Sequence, residues 1–372
     1  MKNRSLILVF IIAFFVSSFT QSGELLAHVD KMIYLQGKIG ERTLILKIKC
    51  YDESTVRYMN YYFEDEKMDH YLEGNLIGNV WQFNSVDNQK EGKNLVIKED
   101  KNGIWKGFWR EGSNKKTDII LNPIVINPDS KYNSYSKNKE LDPYDSYKIS
   151  IIDLAKVKTE KVSKNFSLDW YSEKESGISF FRLHNENKKT KLDSINSTLE
   201  ALQLSIIHDY FRYNPNRNSL NIQSEILYLN EELISFKIIS DNTFTIQNPI
   251  KSQQLFTVSL RNGQAIDLES ILWFDEKNTK PAANEIMETY EYRKKVFAPK
   301  VFSILNELYP EKMKTSSCDL DKAATWALPN FAITKQGLLF CFTNSATCNL
   351  LDWAIIPYGK LAPYLEKKYK LN

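Results

Sequence analysis

The residue types that most often carry chemistry are few in this 372-residue chain and lie far apart. The histidines are His28, His70, His184 and His208, and the cysteines are Cys50, Cys318, Cys341 and Cys348. A structural zinc site needs cysteines or histidines in closely spaced pairs, and none of these residues has C-x-x-C or comparable spacing. The sequence therefore predicts no metal site, and no motif in it implies a cofactor.

One hydrolytic trio can be assembled from residue types alone, with His70 as base, Asp69 as its partner and Cys50 as nucleophile. Nothing in the spacing brings Cys50 to the other two, so we interpret His70 as an ordinary surface histidine. The Gly-x-Ser-x-Gly, His-Glu-x-x-His and Gly-rich phosphate-loop motifs are absent from the sequence. Asp319 and Asp321 could ligate a divalent cation, but the start of a helix or strand is the better interpretation. We predict no catalytic residue.

The first residues have the order of a secretory signal peptide. Lys2 and Arg4 form a basic start, Leu6–Val16 is an unbroken apolar run, and small residues follow at 17–23. The run is shorter than the ~20 residues of a membrane span and matches a signal-peptide core. We therefore predict a signal peptide at 1–22, a periplasmic or secreted mature protein, and no membrane span after signal removal. The alternative is an uncleaved N-terminal membrane anchor.

The charge of the mature chain is close to neutral. The formal net charge is +3, and removal of residues 1–22 takes away two basic side chains and no acidic ones, which leaves +1. A nucleic-acid-binding protein usually carries a basic stripe, and a near-neutral chain attracts highly charged partners only weakly. We therefore predict no nucleic-acid partner.

Residues 24–126 have the pattern of short strands separated by turns, at a spacing of about ten residues. The candidate strands are Met32–Gly37, Thr43–Cys50, Val56–Phe63, His70–Gly74, Asn79–Phe83, Asn94–Lys98, Ile104–Arg110 and Asp118–Leu121. The pattern predicts an all-β antiparallel meander that closes as a small barrel or folds as a sandwich. Trp81, Trp105 and Trp109 belong to its core or form an aromatic binding face, and we favour the core.

The stretch 127–150 is polar, is punctuated by proline and lacks an apolar period, so we predict a linker or long loop at 127–160. Its tyrosines should dock on a neighbouring surface. They are Tyr132, Tyr135, Tyr144 and Tyr147. The linker divides the chain into a β domain at 24–126 and a second domain at 161–372, since 372 residues exceed what one core usually serves.

Residues 161–372 mix helical and strand patterns and predict an α+β domain with an antiparallel sheet and two main helices. Asp193–Tyr213 carries apolar residues on one face, and Ala282–Leu308 is the second helical stretch, interrupted at Pro299. A hairpin is predicted at Asn262-Gly263, because Asn-Gly suits the positive φ of a tight turn.

The C-terminal end contains the most specific pattern of the chain. A strand begins at Gly337 after a tight turn, and we predict a positive φ at that glycine. Pro357 lacks an N–H, so its strand must be an edge strand or end there. We interpret the residues of this pattern as folding determinants. They are Gly337, Leu338, Phe340, Phe342, Pro357, Tyr358, Leu361 and Tyr364.

This pattern is Gly-Leu-x-Phe-x-Phe at 337–342, Ile-Pro-Tyr at 356–358 and Leu-x-Pro-Tyr at 361–364. It resembles the C-terminal signature of the RsiV-like extracytoplasmic domain family. That family includes the lysozyme-sensing anti-sigma factor RsiV and a domain of some peptidoglycan deacetylases. The resemblance covers about 165–368 and is strong over 328–365.

The resemblance implies an exported, non-enzymatic protein of the cell envelope that binds or senses a ligand through its C-terminal domain. Lysozyme, another envelope protein and a cell-wall glycan are the candidate partners. The chain departs from the family at 245–250 and in the loop at 344–352, and such loops often determine which ligand is bound. The alternative is an envelope hydrolase built from dispersed residues, because the carboxylate pairs that cleave glycosides converge in space and not in sequence.

An even number of cysteines in an exported chain predicts a disulfide. We expect Cys348 to pair with Cys318 or Cys341. We favour Cys318, because Cys348 lies in the loop that departs from the family and Cys318 lies just before the family-like stretch. Cys341 competes because it is only seven residues from Cys348. Cys50 belongs to the other domain and is expected to be a buried thiol.

Overall fold

The computed structural model of the chain describes residues 29–51, 56–85, 92–112, 116–186, 192–213, 220–242, 250–275, 277–282, 284–314, 318–341, 352–369 and 371. Residues 1–22, the predicted signal peptide, lie outside this set. The described residues form two compact units. The N-terminal unit contains those up to Ala155 together with those of 173–177 and 201–217, and the C-terminal unit contains the others. The first division falls inside the predicted boundary at 127–160, but a single cut of the chain does not separate the two units.

Strands β1–β8 form a closed antiparallel barrel, in which each strand pairs with the next and β8 pairs with β1. They are β1 Val29–Ile39, β2 Arg42–Tyr51, β3 Val56–Phe63, β4 His70–Ile77, β5 Val80–Asn84, β6 Lys93–Glu99, β7 Trp105–Glu111 and β8 Thr117–Pro123. All eight predicted strands are present, and the barrel is the form observed.

Side chains fill the barrel interior, as expected when eight strands close on themselves. Trp105 and Trp109 are each 3% exposed, and Tyr61 and Phe63 both pack edge-on against Trp109. Trp81 is only partly buried and packs against the same core. The interpretation of these tryptophans as core residues is therefore confirmed for Trp105 and Trp109.

The segment at 127–160 is not the predicted linker or long loop. It contains helix α1 Asn133–Asn138, helix α2 Pro143–Ser150 and most of strand β9 Leu154–Lys161. Asp142 caps α2 by accepting a hydrogen bond from the Asp145 backbone N–H at 2.9 Å. The prediction failed in part because two charged residues of this segment, Asp145 and Lys148, are buried and paired.

The predicted docking of tyrosines from this segment is confirmed for Tyr132 and Tyr144, which are 3% and 0% exposed. The ring of Tyr144 packs edge-on against Tyr62 of β3, with the ring centroids 4.9 Å apart. Helix α2 is therefore attached to the barrel through an aromatic contact.

Beyond the barrel, the strands form three three-stranded sheets, where the sequence predicted one antiparallel sheet. Their strand orders are β11-β10-β9, β12-β13-β14 and β15-β16-β17. The strands that follow β9 are β10 Phe166–Glu173, β11 Ser179–Asn185, β12 Leu220–Leu229, β13 Leu233–Asn242, β14 Ile250–Ser259, β15 Asn330–Ile333, β16 Gly337–Cys341 and β17 Ile355–Pro357. Ser235 explains part of the difference. It lies on the central strand β13, and its hydroxyl accepts the Ile333 N–H at 3.0 Å. Strand β15 therefore lies across the face of that sheet and cannot extend its edge.

The two main helical stretches are present. Helix α3 is Asp193–Tyr213, with the bounds that its apolar period predicted. The second stretch consists of α4 Ile286–Tyr292, a π-helical turn at Arg293–Phe297 and α5 Ala298–Leu308. The helical stretch is irregular near the predicted position, because of the π turn, but it is not interrupted at Pro299 itself, which lies in α5.

Two short helices complete the C-terminal unit, α6 Pro310–Met313 and α7 Tyr358–Leu361. Among the described residues, no helix combines the length and the apolar character needed to cross a membrane.

The C-terminal pattern is structural, as predicted, but Gly337 acts differently from the prediction. Its φ is not positive. The turn before it is closed instead by Thr334, whose hydroxyl oxygen accepts the Gly337 N–H at 3.1 Å. The glycine is needed because a Cβ there would lie 2.1 Å from the carbonyl oxygen of Ile356 on β17.

The other residues of the pattern belong to the core or its border. Leu338, Phe340 and Leu361 are fully buried, and Pro357 ends the edge strand β17, as predicted. The Tyr358 hydroxyl donates to the Thr334 carbonyl at 2.6 Å. Tyr364 packs edge-on against Phe274, 4.9 Å between centroids, and Phe342 lies outside the described residues.

Among the described cysteines, Cys50 and Cys341 are not in disulfides. Cys50 is 8% exposed, as predicted for a buried thiol, and Cys341 is 1% exposed. Burial raises the pKa of the Cys341 thiol to about 12, so it is not a reactive thiolate at neutral pH. Because Cys341 is not in a disulfide, the predicted alternative of a Cys341–Cys348 pair is wrong. Cys348 itself lies outside the described residues, and its pairing with Cys318 stays a prediction.

Candidate functional site

The hydrolytic trio considered from the sequence is not assembled. His70 stacks on Tyr61, with ring centroids 5.0 Å apart, and its Nε2 lies 3.4 Å from Glu66 Oε2. Asp69 instead accepts hydrogen bonds from Lys148 and from the Tyr144 hydroxyl. Burial lowers the pKa of His70, and its side chain is about one-third exposed. His70 is thus a partly exposed histidine that contacts Glu66, in agreement with its interpretation as an ordinary surface histidine.

Asp319 and Asp321 do not form a cation site. Asp319 has a φ of 52°, and its carboxylate pairs with Lys322 Nζ at 2.7 Å. No three histidine, cysteine or acidic side chains are grouped for a metal ion anywhere in the described part of the chain.

A buried ion cluster lies in the N-terminal unit and was not predicted from the sequence. We define it as Lys47, Asp69, Asp145, Lys148 and His208, each 9% exposed or less at its side chain. Lys148 Nζ pairs with Asp69, and Lys47 Nζ lies 3.6 Å from Asp145. His208 Nε2 lies 3.1 Å from Asp145 Oδ1, and the two groups form an ion pair when the imidazole is protonated.

The cluster is electrostatically self-compensating. Burial alone would raise the pKa of Asp145, but His208, Lys47 and Lys148 hold it well below its usual range. Burial opposes a charged imidazole, yet Asp145 and Asp209 raise the pKa of His208. The cluster thus joins strand β2, helix α2 and the C-terminal half of α3 through charges that satisfy one another.

The C-terminal unit exposes an apolar helix face, which we define as Ile286, Met287 and Tyr290 on α4. Their exposed fractions are 75%, 67% and 40%. At about 100° per residue, the three side chains share one side of the helix. Apolar residues exposed singly are ordinary, but three neighbours on one short helix are typical of a contact surface.

The opposite side of α4 lines an open groove of about 290 Å³. The other wall of the groove is formed by Trp273, Asp275, Asn278, Thr279 and Pro281. Trp273 stacks on Tyr292 at its base, with centroids 3.9 Å apart and ring planes 23° apart. The Tyr292 hydroxyl accepts the Phe274 N–H at 3.0 Å, and burial raises the pKa of Tyr292 to about 12, so the phenol is neutral. The groove therefore has a fixed aromatic base.

Acidic side chains form the rim of this groove. Asp275, Glu288 and Glu291 line it together with one base, Lys295. Glu291 Oε2 pairs with Lys295 Nζ at 2.6 Å, and that contact lowers the pKa of Glu291. A hydrogen bond from the Asn278 side chain to Asp275 at 2.7 Å lowers the pKa of Asp275, so both carboxylates are ionised at neutral pH.

Pro299, just after the π turn, is the one feature of this region that could be recognised in the sequence. Turns of π-helix inside α-helices are frequent at functional sites. The groove residues themselves come from separate parts of the chain and follow no motif. The loops at which the chain departs from the RsiV-like pattern lie largely outside the described residues, at 243–249 and 342–351.

Comparison with known proteins does not assign the chain to a group. No family model matches the sequence. A search of curated proteins likewise finds no match. The functional conclusion consequently depends on the geometry of the described residues and on the sequence resemblance.

Proposed function

We propose that this chain is an exported, non-enzymatic binding or sensing protein of the cell envelope. Its signal peptide at 1–22 would be removed, and the protein would act in the periplasm or as a secreted protein. Its C-terminal unit would engage the ligand, for which lysozyme, another envelope protein and a cell-wall glycan are the candidates. The resemblance of 328–365 to RsiV-like domains supports this proposal.

The apolar helix face is the observation that carries the proposal. Methionine and tyrosine are enriched at protein interfaces, where an apolar centre is surrounded by a polar rim. Glu288 and Glu291 lie on the same helix, toward the groove, and supply polar side chains at one border of the face. A protein ligand therefore fits this face better than a glycan, which would need more polar side chains facing it.

The double variant Ile286→Ala/Met287→Ala should bind a protein ligand about tenfold more weakly than the wild type, since a few well-packed contacts at the centre of an interface supply most of its binding energy. Alanine preserves the helix, and exposed positions contribute little to stability. Calorimetry and pull-downs with lysozyme and with peptidoglycan fragments measure the effect.

Ile77→Ala is the matched control, because Ile77 is 60% exposed on strand β4 of the barrel and lies outside the apolar helix face. The control should bind like the wild type. Equal losses in both variants would show that the helix face is not the site. If calorimetry showed no heat of binding and the pull-downs captured neither lysozyme nor peptidoglycan fragments, both would be excluded as ligands of this protein.

An envelope hydrolase is the second candidate, and the buried ion cluster is the observation that favours it. Converging carboxylates and a histidine are what a hydrolytic site requires. Here, however, Lys148 is fully buried and Asp145 is 6% exposed, and both are paired with other members of the cluster. Groups that neutralise one another beneath the surface stabilise a fold and leave no place for a substrate, so the binding function is preferred.

A Cys318–Cys348 disulfide belongs to the same proposal. Cys50 and Cys341 are not in disulfides, and Cys318 and Cys348 are the other two cysteines of the sequence. In denaturant without reductant, we expect alkylation of Cys50 and Cys341 alone, and of all four cysteines after reduction. Mass spectrometry of the digested protein should recover a peptide that links positions 318 and 348. Alkylation of all four cysteines before reduction would contradict the pairing.

A further inference from the structure

We propose that the groove beside α4 binds the cationic side chain of a lysine or arginine, presented by a basic protein segment. This inference deepens the proposed function and rests on it, because it specifies the chemistry of the ligand that the C-terminal unit would engage.

The aromatic base of the groove is the first argument. Trp273 covers Tyr292, which is only 7% exposed, and Trp273 itself remains partly exposed. The indole N–H of Trp273 donates to the backbone carbonyl of Asp275, which fixes the orientation of the ring. A tryptophan face that is fixed in this way attracts ammonium and guanidinium groups through the negative potential above the ring.

The charge of the groove is the second argument. Its lining contains three carboxylates and one ammonium, which gives a net charge of −2 at neutral pH. The charge of Glu291 is offset by Lys295, and Asp275 is engaged by its own turn. The Glu288 side chain makes no ion pair or hydrogen bond with any part of the chain that the structure describes, so its charge is available to a ligand.

Other occupants fit the groove less well. An anionic ligand such as a phosphate-rich wall polymer would meet two uncompensated carboxylates. A metal ion would need three grouped ligands, and the described residues contain no such group. A neutral glycan could stack on Trp273, but it would leave the charge of Glu288 without a counter-charge. A guanidinium or ammonium satisfies the ring and the carboxylate together.

The test uses the purified chain and a matched pair of small probes, arginine amide and citrulline amide. Citrulline has the shape of arginine but carries no charge. The indole signal of Trp273 in a proton–nitrogen correlation spectrum, assigned with Trp273→Phe, reports binding. We expect arginine amide to shift this signal in a saturable way and citrulline amide to leave it in place. Glu288→Gln should weaken the arginine amide titration by about threefold to fivefold, as for an exposed ion pair.

Glu285→Gln is the control, since Glu285 lies at the start of the same helix and does not line the groove. It should titrate like the wild type. Equal shifts with both probes, no shift with arginine amide, or equal weakening by Glu285→Gln would overturn the inference. A shift with a peptidoglycan disaccharide fragment alone would make the groove a glycan site. The proposed function is tested separately, because loss of macromolecular binding in the Ile286→Ala/Met287→Ala variant does not depend on the groove titration.

Discussion

Replacing Lys148 with methionine should lower the free energy of unfolding of the protein by about 3–5 kcal/mol. The Lys148 side chain is fully buried, and its ammonium pairs with Asp69, whose side chain is 8% exposed. Methionine retains most of the aliphatic volume, so the loss comes from leaving the Asp69 carboxylate buried without its counter-charge. Asp69 would still accept the Tyr144 hydroxyl at 2.6 Å, but a neutral donor compensates a buried charge poorly.

Two further variants separate charge from packing. Lys148→Met/Asp69→Asn removes both charges and keeps an acceptor for Tyr144, so it should recover at least half of the lost stability. Lys106→Met breaks a surface pair, since the Lys106 side chain is 57% exposed and its Nζ lies 2.9 Å from Asp100, so this variant should unfold at nearly the same urea concentration as the wild type. Urea unfolding followed by circular dichroism measures all three. If Lys148→Met unfolded at the same urea concentration as Lys106→Met, the ion cluster would not support the fold.

The barrel could be predicted because its residues follow local rules. Alternation of apolar and polar side chains defines each strand, as in β4, where Leu72 and Gly74 face inward between exposed neighbours. Turns such as the one at Gly40, with a φ of 60°, separate them. The alternation of side chains along a strand and the residue types that favour a turn are both visible within a few residues, so a single sequence is enough to detect them. Closure, in contrast, depends on β1 meeting β8, and the sequence left barrel and sandwich open.

The segment at 127–160 differs from the predicted linker because polar and charged residues are usually exposed to solvent, whereas some of those in this segment are not. Asp145 and Lys148 of α2 are buried, and their partners Asp69 and His208 are distant in sequence. Pairing of buried charges is a tertiary property without a local signature. The tyrosines were a better guide, since Tyr144 is fully buried against Tyr62.

The apolar helix face also escaped sequence analysis, and the π turn explains why. In an uninterrupted α-helix, Ile286 and Tyr290 would lie on the same stripe as the buried residues Phe297 and Val301. The turn at Arg293–Phe297 closes through an i to i+5 hydrogen bond, from the Ala298 N–H to the Arg293 carbonyl. The π turn contains one more residue than an α-helical turn, and each residue corresponds to about 100° around the helix axis. The segment before the π turn is therefore rotated by about 100° relative to the buried residues that follow it. The rotation places Ile286 and Tyr290 in solvent, which a regular period cannot anticipate.

Gly337→Ala should lower the free energy of unfolding by about 3 kcal/mol or more, and the reason differs from the one that the sequence suggested. The φ of Gly337 is not positive, so alanine is compatible with the backbone. Its Cβ, however, would lie 2.1 Å from the carbonyl oxygen of Ile356, and the nearest atoms on that side are all backbone. Relief of the overlap requires β17 to move away from β16, which breaks their pairing and exposes Ile356, a fully buried residue.

Gly359→Ala is the matched control for this glycine. Gly359 lies in helix α7, two residues after β17 ends, and a Cβ there would meet no atom within 4 Å. Alanine in a helix is favoured over glycine by about 0.5–1 kcal/mol, so this variant should be neutral or slightly stabilised. Both variants replace glycine with alanine, but the free energy of unfolding should fall in Gly337→Ala and stay the same or rise in Gly359→Ala. Urea unfolding of the two proteins measures this difference. If the two variants were equally stable, β17 could move to accommodate a Cβ at position 337. Close packing of β16 and β17 would then not be the reason for a glycine at that position.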